Sequence, residues 1–285
     1  MSAVRATLGP GRWHFQHGPI DLVIGATGRA DAVAQSLEHA WSRFVGVLAE
    51  LVAELPRLRA RVDAGRCALD GPVARRMWSA CAPFAAQYIT PMAAVAGSVA
   101  QEIAISFERD GVERAWINNG GDIALRLAPG ASARIAVCSD PRVAAGTRGP
   151  QASASLADRI LVDAASPVRG VATSGWRGRS FSLGIADAVT VLAPTAAQAD
   201  AAATMIANAV DCDDPAVVRR PASELKDDSD LGARPVTVSV GPLPRACVEA
   251  ALDRGEAYAR ELRARGLVVS ALLSLQGRSR IVENP

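Results

Sequence analysis

Two side chains carry the clearest chemical signal. Asp200 and Thr204 stand four residues apart in QADAAATMIANAV, and on a helix that spacing stacks them on one face. A carboxylate and a hydroxyl placed in this way can both reach one hard cation, which prefers oxygen ligands. A second group of residues suits phosphate. In NNGGD, Asn118 to Asp122, the glycine pair permits φ > 0 and frees amides to cradle an anion, with Asp122 beside a cation or a ribose. The same residues also read as a hairpin turn, since Asn-Gly is the strongest short hairpin signal, and spacing alone favours the turn. Arg177 and Arg179, in the Gly/Ser/Arg-rich stretch after Gly175, would add positive charge near a phosphate or lie solvated at the surface. His14 and His17 form H-x-x-H. On a strand that spacing puts the rings on opposite faces, so they are expected to pack on a hairpin rather than hold a metal.

The elements that must position these groups are legible. A β-branched run predicts a buried strand over Ala186 to Ala193, closed by Pro194. Thr195 and Gln198 then form a T-x-x-Q capping box that opens an Ala-rich helix with a small surface. Apolar spacing predicts a helix over Asp31 to Ala64, broken or kinked at Pro56, and another over Pro72 to Cys81. A third is expected from Met92 to Arg109, with Gly97 and Ser98 permitting close backbone approach. Strands are expected at Arg12–Ile24 (two, around Gly18-Pro19), on both sides of NNGGD, and at Arg134–Val137, Arg159–Asp163, Pro235–Val240 and Leu267–Leu275. Pro244 to Gly266 reads as an amphipathic helix. Ser139 to Asp158 reads as a polar loop, either a lid or a segment disordered at its tip, and Asp211 to Asp230 as a surface loop. The mixed order predicts an α+β protein. With no linker, low-complexity tract or strong internal repeat, residues 1–285 read as one domain.

Composition narrows the function classes. The 285 residues carry a net charge of +2, and 49% are hydrophobic but only 4% aromatic. The charges are scattered, with no basic stripe for nucleic acid and no polybasic membrane patch. Trp78 to Gln101 is free of charge, but its two prolines and many alanines make it too weakly apolar to span a bilayer. Five well-separated cysteines without C-x-x-C predict buried free thiols in a reducing compartment. The first residues show no apolar leader, so a cytoplasmic location is expected.

Taken together, the motifs resemble those of the ApbE-like flavin transferase family. Asp200 and Thr204 match its AD-x-x-x-T motif, and Ala172 to Gly175 (ATSG) its TSG loop. NNGGD is similar to its GGD turn, and PMAAVAGSVAQEIA, Pro91 to Ala104, to its LGAIAKGYAVD helix. The four motifs appear in the family's order. The resemblance implies that Asp200, Thr204 and the Ala96 carbonyl hold Mg²⁺. It further implies that Asn119, Gly120, Gly121, Asp122, Thr173, Ser174 and Gly175 bind FAD, with Arg179 adding charge beside them. It implies two packed, duplicated T-fold-like layers with the ligand in the cleft between halves. It also implies cleavage of the FAD pyrophosphate, with FMN passed to a Thr or Ser of an acceptor protein. The chain departs from the family in two places. WRGRSFSLGIADAV, between TSG and the strand, lacks the family's histidine and its H-I-x-D-P segment, and Gly97 replaces the lysine of AKG. No catalytic residue is assigned. The expected activity is therefore a Mg²⁺-dependent reaction of a flavin nucleotide. The alternatives are a non-catalytic flavin or nucleotide binder, and a related fold turned to another small heterocyclic or phosphorylated metabolite. A homodimer is the base-rate expectation for assembly.

Overall fold

The computed structural model describes residues 2–63, 65–136 and 159–283; the loop Ser139–Asp158 lies outside them. The chain divides into two compact units, the first formed by Met1–Ala133, Val162–Ala172 and Ala193–Ala201 and the second by the remainder.

In the first unit, β1 (Val4–Gly9), β2 (Arg12–His17), β3 (Ile20–Gly28), β4 (Val112–Asn119) and β5 (Asp122–Leu127) pair in that order as an antiparallel meander. The strands β6 (Ser132–Ala136) and β7 (Arg159–Asp163) make a separate two-stranded ribbon, with most of its residues assigned to the second unit. The first residues of β8 (Gly170–Ser174) then pair antiparallel to β5, Ile123 opposite Val171. Among the described residues, the helices α1 (Ala30–Ala53), α2 (Leu55–Leu58), α3 (Pro72–Cys81) and α4 (Val95–Ala104) lie wholly within this first unit. Helix α1 buries Val33, Leu37, Ala40, Phe44, Val47 and Leu51, three or four apart as a helix on a sheet requires. Phe15 of β2 meets Trp41 edge-on at 5.1 Å and Phe44 at 5.5 Å. His14 Nε2 lies 2.8 Å from Asp21 Oδ1 across the β2–β3 hairpin.

Charge also holds these helices together. Glu102 of α4 accepts hydrogen bonds from Arg43 Nε of α1 at 2.6 Å and Arg76 of α3 at 2.8 Å. Arg43 in turn grips Glu50 through both terminal nitrogens, at 2.7 and 2.8 Å. Burial pushes the Glu102 carboxyl up, but the two arginines outweigh it and leave it below its ordinary value. Glu54 accepts the Asp70 and Gly71 amides at 2.9 and 2.7 Å, capping the start of α3 from a residue distant in sequence.

In the second unit, β9 (Ala188–Ala193) is buried at every position. Helix α5 (Ala196–Ala209), whose residues up to Ala201 belong to the first unit, follows it in the chain, then β10 (Val217–Pro221), α6 (Ala222–Leu225), β11 (Pro235–Val240), α7 (Arg245–Ala264), β12 (Ser270–Leu275) and β13 (Arg278–Val282). The strand β12 pairs antiparallel with both β9 and β13, and β10 pairs with β11. Helix α7 lays Val248, Ala251, Leu252, Ala259 and Leu262 into the core of this unit.

The α+β class holds, while several boundaries differ from expectation. Of the two outcomes expected at Pro56 the break is the one found: the long first helix stops at Ala53, and Pro56 sits in the first turn of α2. The helix expected over Met92–Arg109 is α4 flanked by 3₁₀ turns at Pro91–Ala94 and Ile105–Phe107. The expected surface loop Asp211–Asp230 contains β10 and α6, because the short run Val217–Pro221 finds a ladder with β11. A further strand, β13, which the sequence reading does not include, returns beside β12. The thiol reading is corrected as well: Cys212 and Cys247 are joined in a disulfide, while Cys67 and Cys81 are free. Spacing along the chain did not reveal that these two Cα atoms come within 6.4 Å.

Candidate metal corner and nucleotide loop

Helix α5 starts where the capping box places it. The Thr195 hydroxyl accepts the Gln198 amide at 3.2 Å and donates to Gln198 Oε1 at 3.1 Å. Gln101 Oε1 of α4 accepts the Ala197 amide at 3.3 Å. Ala196, Ala197, Ala199 and Ala201 are almost wholly buried, and their small side chains let α4 come close. At the crossing stands Gly97. A Cβ there would collide with the Ala196 carbonyl oxygen and lie 3.0 Å from Asp200 Cβ, so only glycine permits this approach.

The close approach builds the corner. The Gly97 amide donates to Asp200 Oδ2 at 2.9 Å, and the Ala96 amide adds a second favourable bond. Asn119, itself buried, donates from Nδ2 to the Ala96 carbonyl at 3.1 Å. Asp122 stands opposite Asn119 across the β4–β5 turn. Burial of the Asp200 carboxyl group and then the charge of Asp122 push it well above the usual carboxylate range, against the two amide bonds. The residue as a whole is only half-buried. Cys81 is a further neighbour: burial and the Asp200 charge raise its thiol, whose Sγ lies 3.4 Å from the Thr90 carbonyl.

The first unit therefore brings together four sequence-predicted residues: Ala96, Asn119, Asp122 and Asp200. Gly120 and Gly121 are exposed in the hairpin turn with φ of 66° and 119°, and the Gly121 amide bonds Asn118 Oδ1 at 2.8 Å. The turn geometry by itself accounts for both glycines. Thr204 is half-buried one turn beyond Asp200 on α5. The residues fit a hard divalent cation, because the available donors are all oxygen and two carboxylates repel each other where a cation would relieve them. Among the described residues no group of three or more His, Cys, Asp or Glu side chains could hold a metal ion. A cation here would thus need backbone carbonyl or hydroxyl oxygens as well.

The Thr173–Gly175 loop belongs to the second unit. The Thr173 and Thr190 hydroxyls are 2.9 Å apart, and the Trp176 amide donates to the Ala186 carbonyl at 3.0 Å. Beyond the loop, Asp187 collects three donors. Arg177 Nε reaches Oδ1 at 2.5 Å, Trp176 Nε1 reaches the same oxygen at 3.2 Å, and the Gln276 amide reaches Oδ2 at 2.6 Å. Gln276 adopts φ of 45°, and its side chain bonds the Gly241 carbonyl and the Leu243 amide at 2.7 and 3.1 Å. Arg179 is exposed. Sequence reasoning passed over Asp187; its one signal is a lone charge in the otherwise uncharged run FSLGIADAV. A cavity of about 430 Å³ also escaped notice. It lies in the first unit among Gln101, Ile105, Arg126, Arg169 and Thr195, and no residue expected to bind metal or nucleotide lines it.

These features define an α+β protein with an oxygen-lined carboxylate corner where two small-residue helices cross. The chain belongs to the family described as AbpE bacteria, whose match runs over residues 5–281. It is 36% identical over 173 residues to a UPF0280 protein of Methanothermobacter thermautotrophicus, covering 60% of this chain and 62% of the relative. A UPF0280 protein of Methanopyrus kandleri is 37% identical over 156 residues, covering 55% of this chain and 56% of the relative. The match thus spans about three fifths of the length of these curated relatives. Two solved structures are similar at 14% identity: the apo flavinyl transferase ApbE of Pseudomonas stutzeri, TM-score 0.47, and a mutant flavin transferase ApbE from Vibrio cholerae, TM-score 0.48. The first likeness covers 98% of this chain and 92% of the other, the second 99% and 97%. Among the described residues no helix is long and apolar enough to cross a membrane.

Proposed function

We propose that the chain is a Mg²⁺-dependent enzyme acting on a flavin nucleotide, cleaving FAD at its pyrophosphate and passing FMN to an acceptor. The observation that carries this reading is the Asp200 corner, a carboxylate held by the Gly97 and Ala96 amides beside the Ala96 carbonyl and Asp122. Family membership and the order of the four motifs support it. Asp200, Thr204 and the Ala96 carbonyl are the residues that would hold Mg²⁺. Bound there, the cation would neutralise the charge that develops on a phosphate oxygen as the P–O bond breaks. The chain's own groups supply placement. Within the first unit, Asn119 fixes the Ala96 carbonyl and the Gly97 amide of α4 fixes Asp200; in the second unit, the Thr173–Gly175 loop is by itself an expected nucleotide contact.

The test is a thermal-shift and turnover series on metal-stripped protein with FAD, with and without Mg²⁺. Wild type should gain thermal stability with Mg²⁺ and FAD and release FMN and AMP. Asp200→Ala should fold, lose the Mg²⁺-dependent shift and lose turnover; an undiminished shift in that variant would falsify the metal role. A second reading, a flavin binder without turnover, is favoured by the absence of any histidine between Gly175 and Ala188. It predicts stoichiometric FAD binding with no FMN released over hours.

A further inference from the structure

We propose that Arg177, and not the exposed Arg179, is the anion-recognising side chain beside the Thr173–Gly175 loop, and that Asp187 is the positioning residue that prepares it. The inference rests on the nucleotide reading of that loop given above. Arg177 spends one edge of its guanidinium on Asp187, through Nε at 2.5 Å. Among the described residues its two terminal nitrogens make no hydrogen bond, and the side chain keeps 20% of its surface exposed. What remains is the Nη1/Nη2 fork, two parallel donors whose spacing matches two phosphate oxygens. The guanidinium also stacks 4.9 Å from the Trp176 ring centroid, so little rotamer freedom remains to be lost on binding.

Asp187 does not cancel this preparation. Its side chain is only 13% exposed, and both oxygens are already satisfied, Oδ1 by Arg177 and Trp176 and Oδ2 by the Gln276 amide. A carboxylate that already accepts three hydrogen bonds repels an incoming phosphate less than a free one, while it still fixes the direction of the guanidinium. Its own amide is tied to the Ser274 carbonyl at 2.9 Å. Gln276 in turn is locked to Gly241 and Leu243. The arginine is therefore anchored through a chain of hydrogen bonds to the β12–β13 turn. Among the described residues Arg179 has no such support, and the long flexible side chain of an exposed arginine gives up more freedom for the same contact.

The experiment is isothermal titration of the whole protein with two probes, inorganic pyrophosphate and FAD, each with Mg²⁺. Wild type is compared with Arg177→Met, Arg177→Lys, Arg179→Met and Asp187→Asn. Both Arg177 variants should weaken pyrophosphate and FAD binding at least tenfold. The lysine variant should do so although it keeps the charge, because it lacks the fork. Arg179→Met should stay within twofold of wild type. Asp187→Asn should weaken both probes severalfold and shift the Trp176 indole N–H resonance, identified by its loss in Trp176→Phe; a general loss of folding would instead move all five indole signals. Near-UV circular dichroism identifies a variant that fails to fold, and Arg177→Lys stands in if Arg177→Met does so. Arg177 variants within twofold of wild type overturn the assignment, as does a larger loss in Arg179→Met or binding of neither probe by wild type. FAD binding that is indifferent to Arg177 overturns it while the flavin reading stands. Arg177-dependent pyrophosphate binding without FAD binding upholds it while the flavin reading fails.

Discussion

Glu102 shows how one buried carboxylate can organise three helices. With 9% of its side chain exposed, it accepts Arg43 and Arg76 from α1 and α3, and leaving it out would take the carboxylate partner from Arg76 and leave Arg43 with Glu50 alone. Glu102→Gln should therefore cost about 3 kcal/mol at neutral pH, as expected for breaking one partner out of a buried ion pair. The pH dependence has a definite sign. The folded value lies below the ordinary carboxylate value, so the unfolded chain binds the proton more readily. The contribution is fully present above about pH 4.3, the unperturbed glutamate value, and is lost as pH falls through the lower folded value. Urea unfolding of wild type and Glu102→Gln between pH 3 and pH 7 should show the two stabilities converging only at the acid end. Asp200 is the opposite case: the same low-dielectric surroundings raise it because its nearest charge is another carboxylate rather than an arginine.

At the scale of elements, the α4–α5 crossing is the feature on which the metal corner depends. Gly97→Ala would force a methyl group against the Ala196 carbonyl, a backbone contact that only a shift of the helices can relieve. Overpacking of this kind costs about 1–3 kcal/mol. It should also pull the Gly97 amide away from Asp200, so a lowered melting temperature should accompany a weakened Mg²⁺-dependent shift. Thr195→Ala separates the two effects. It removes the cap hydrogen bond to the Gln198 amide at about 1 kcal/mol, yet leaves the crossing intact. Its melting temperature should fall while the Mg²⁺-dependent shift persists. If both variants lost the shift equally, the crossing would not be what positions Asp200.

At the scale of the whole molecule, two compact units are woven from alternating stretches of one chain, and α5 begins in the first and continues in the second. In the second unit the Cys212–Cys247 bond closes 35 residues that include β10, α6 and β11. In the chain-entropy account, closing a loop of that size contributes about 4 kcal/mol by restricting the unfolded chain. Cys247→Ser should therefore lower the denaturant midpoint by a corresponding amount, and added dithiothreitol should do the same to wild type but not to the variant. Equal sensitivity of both proteins to the reductant would show that the bond is not the source.

Local chemistry was readable in the chain because it depends on neighbours in sequence. The Thr195–Gln198 cap, the buried run Ala188–Ala193, the turn at Gly120-Gly121 and the helix Pro72–Cys81 all follow from propensity, capping and turn stereochemistry acting over a few residues. Asp200 and Thr204 were singled out by helical spacing for the same reason. What lies between distant segments was not readable. That Asn119 would hold the Ala96 carbonyl, that Asp122 would raise Asp200, that Asp187 would gather Trp176, Arg177 and Gln276, and that Cys212 would meet Cys247 are matters of tertiary contact. Edge and ribbon strands such as β1, β10 and β13 fall in the same class, since a short exposed strand has little signal until a partner offers it a ladder. The chain alone determined which residues are equipped for cation and phosphate chemistry. Folding decided which of them meet, because hydrogen bonds and electrostatics act through space and take no account of separation along the chain.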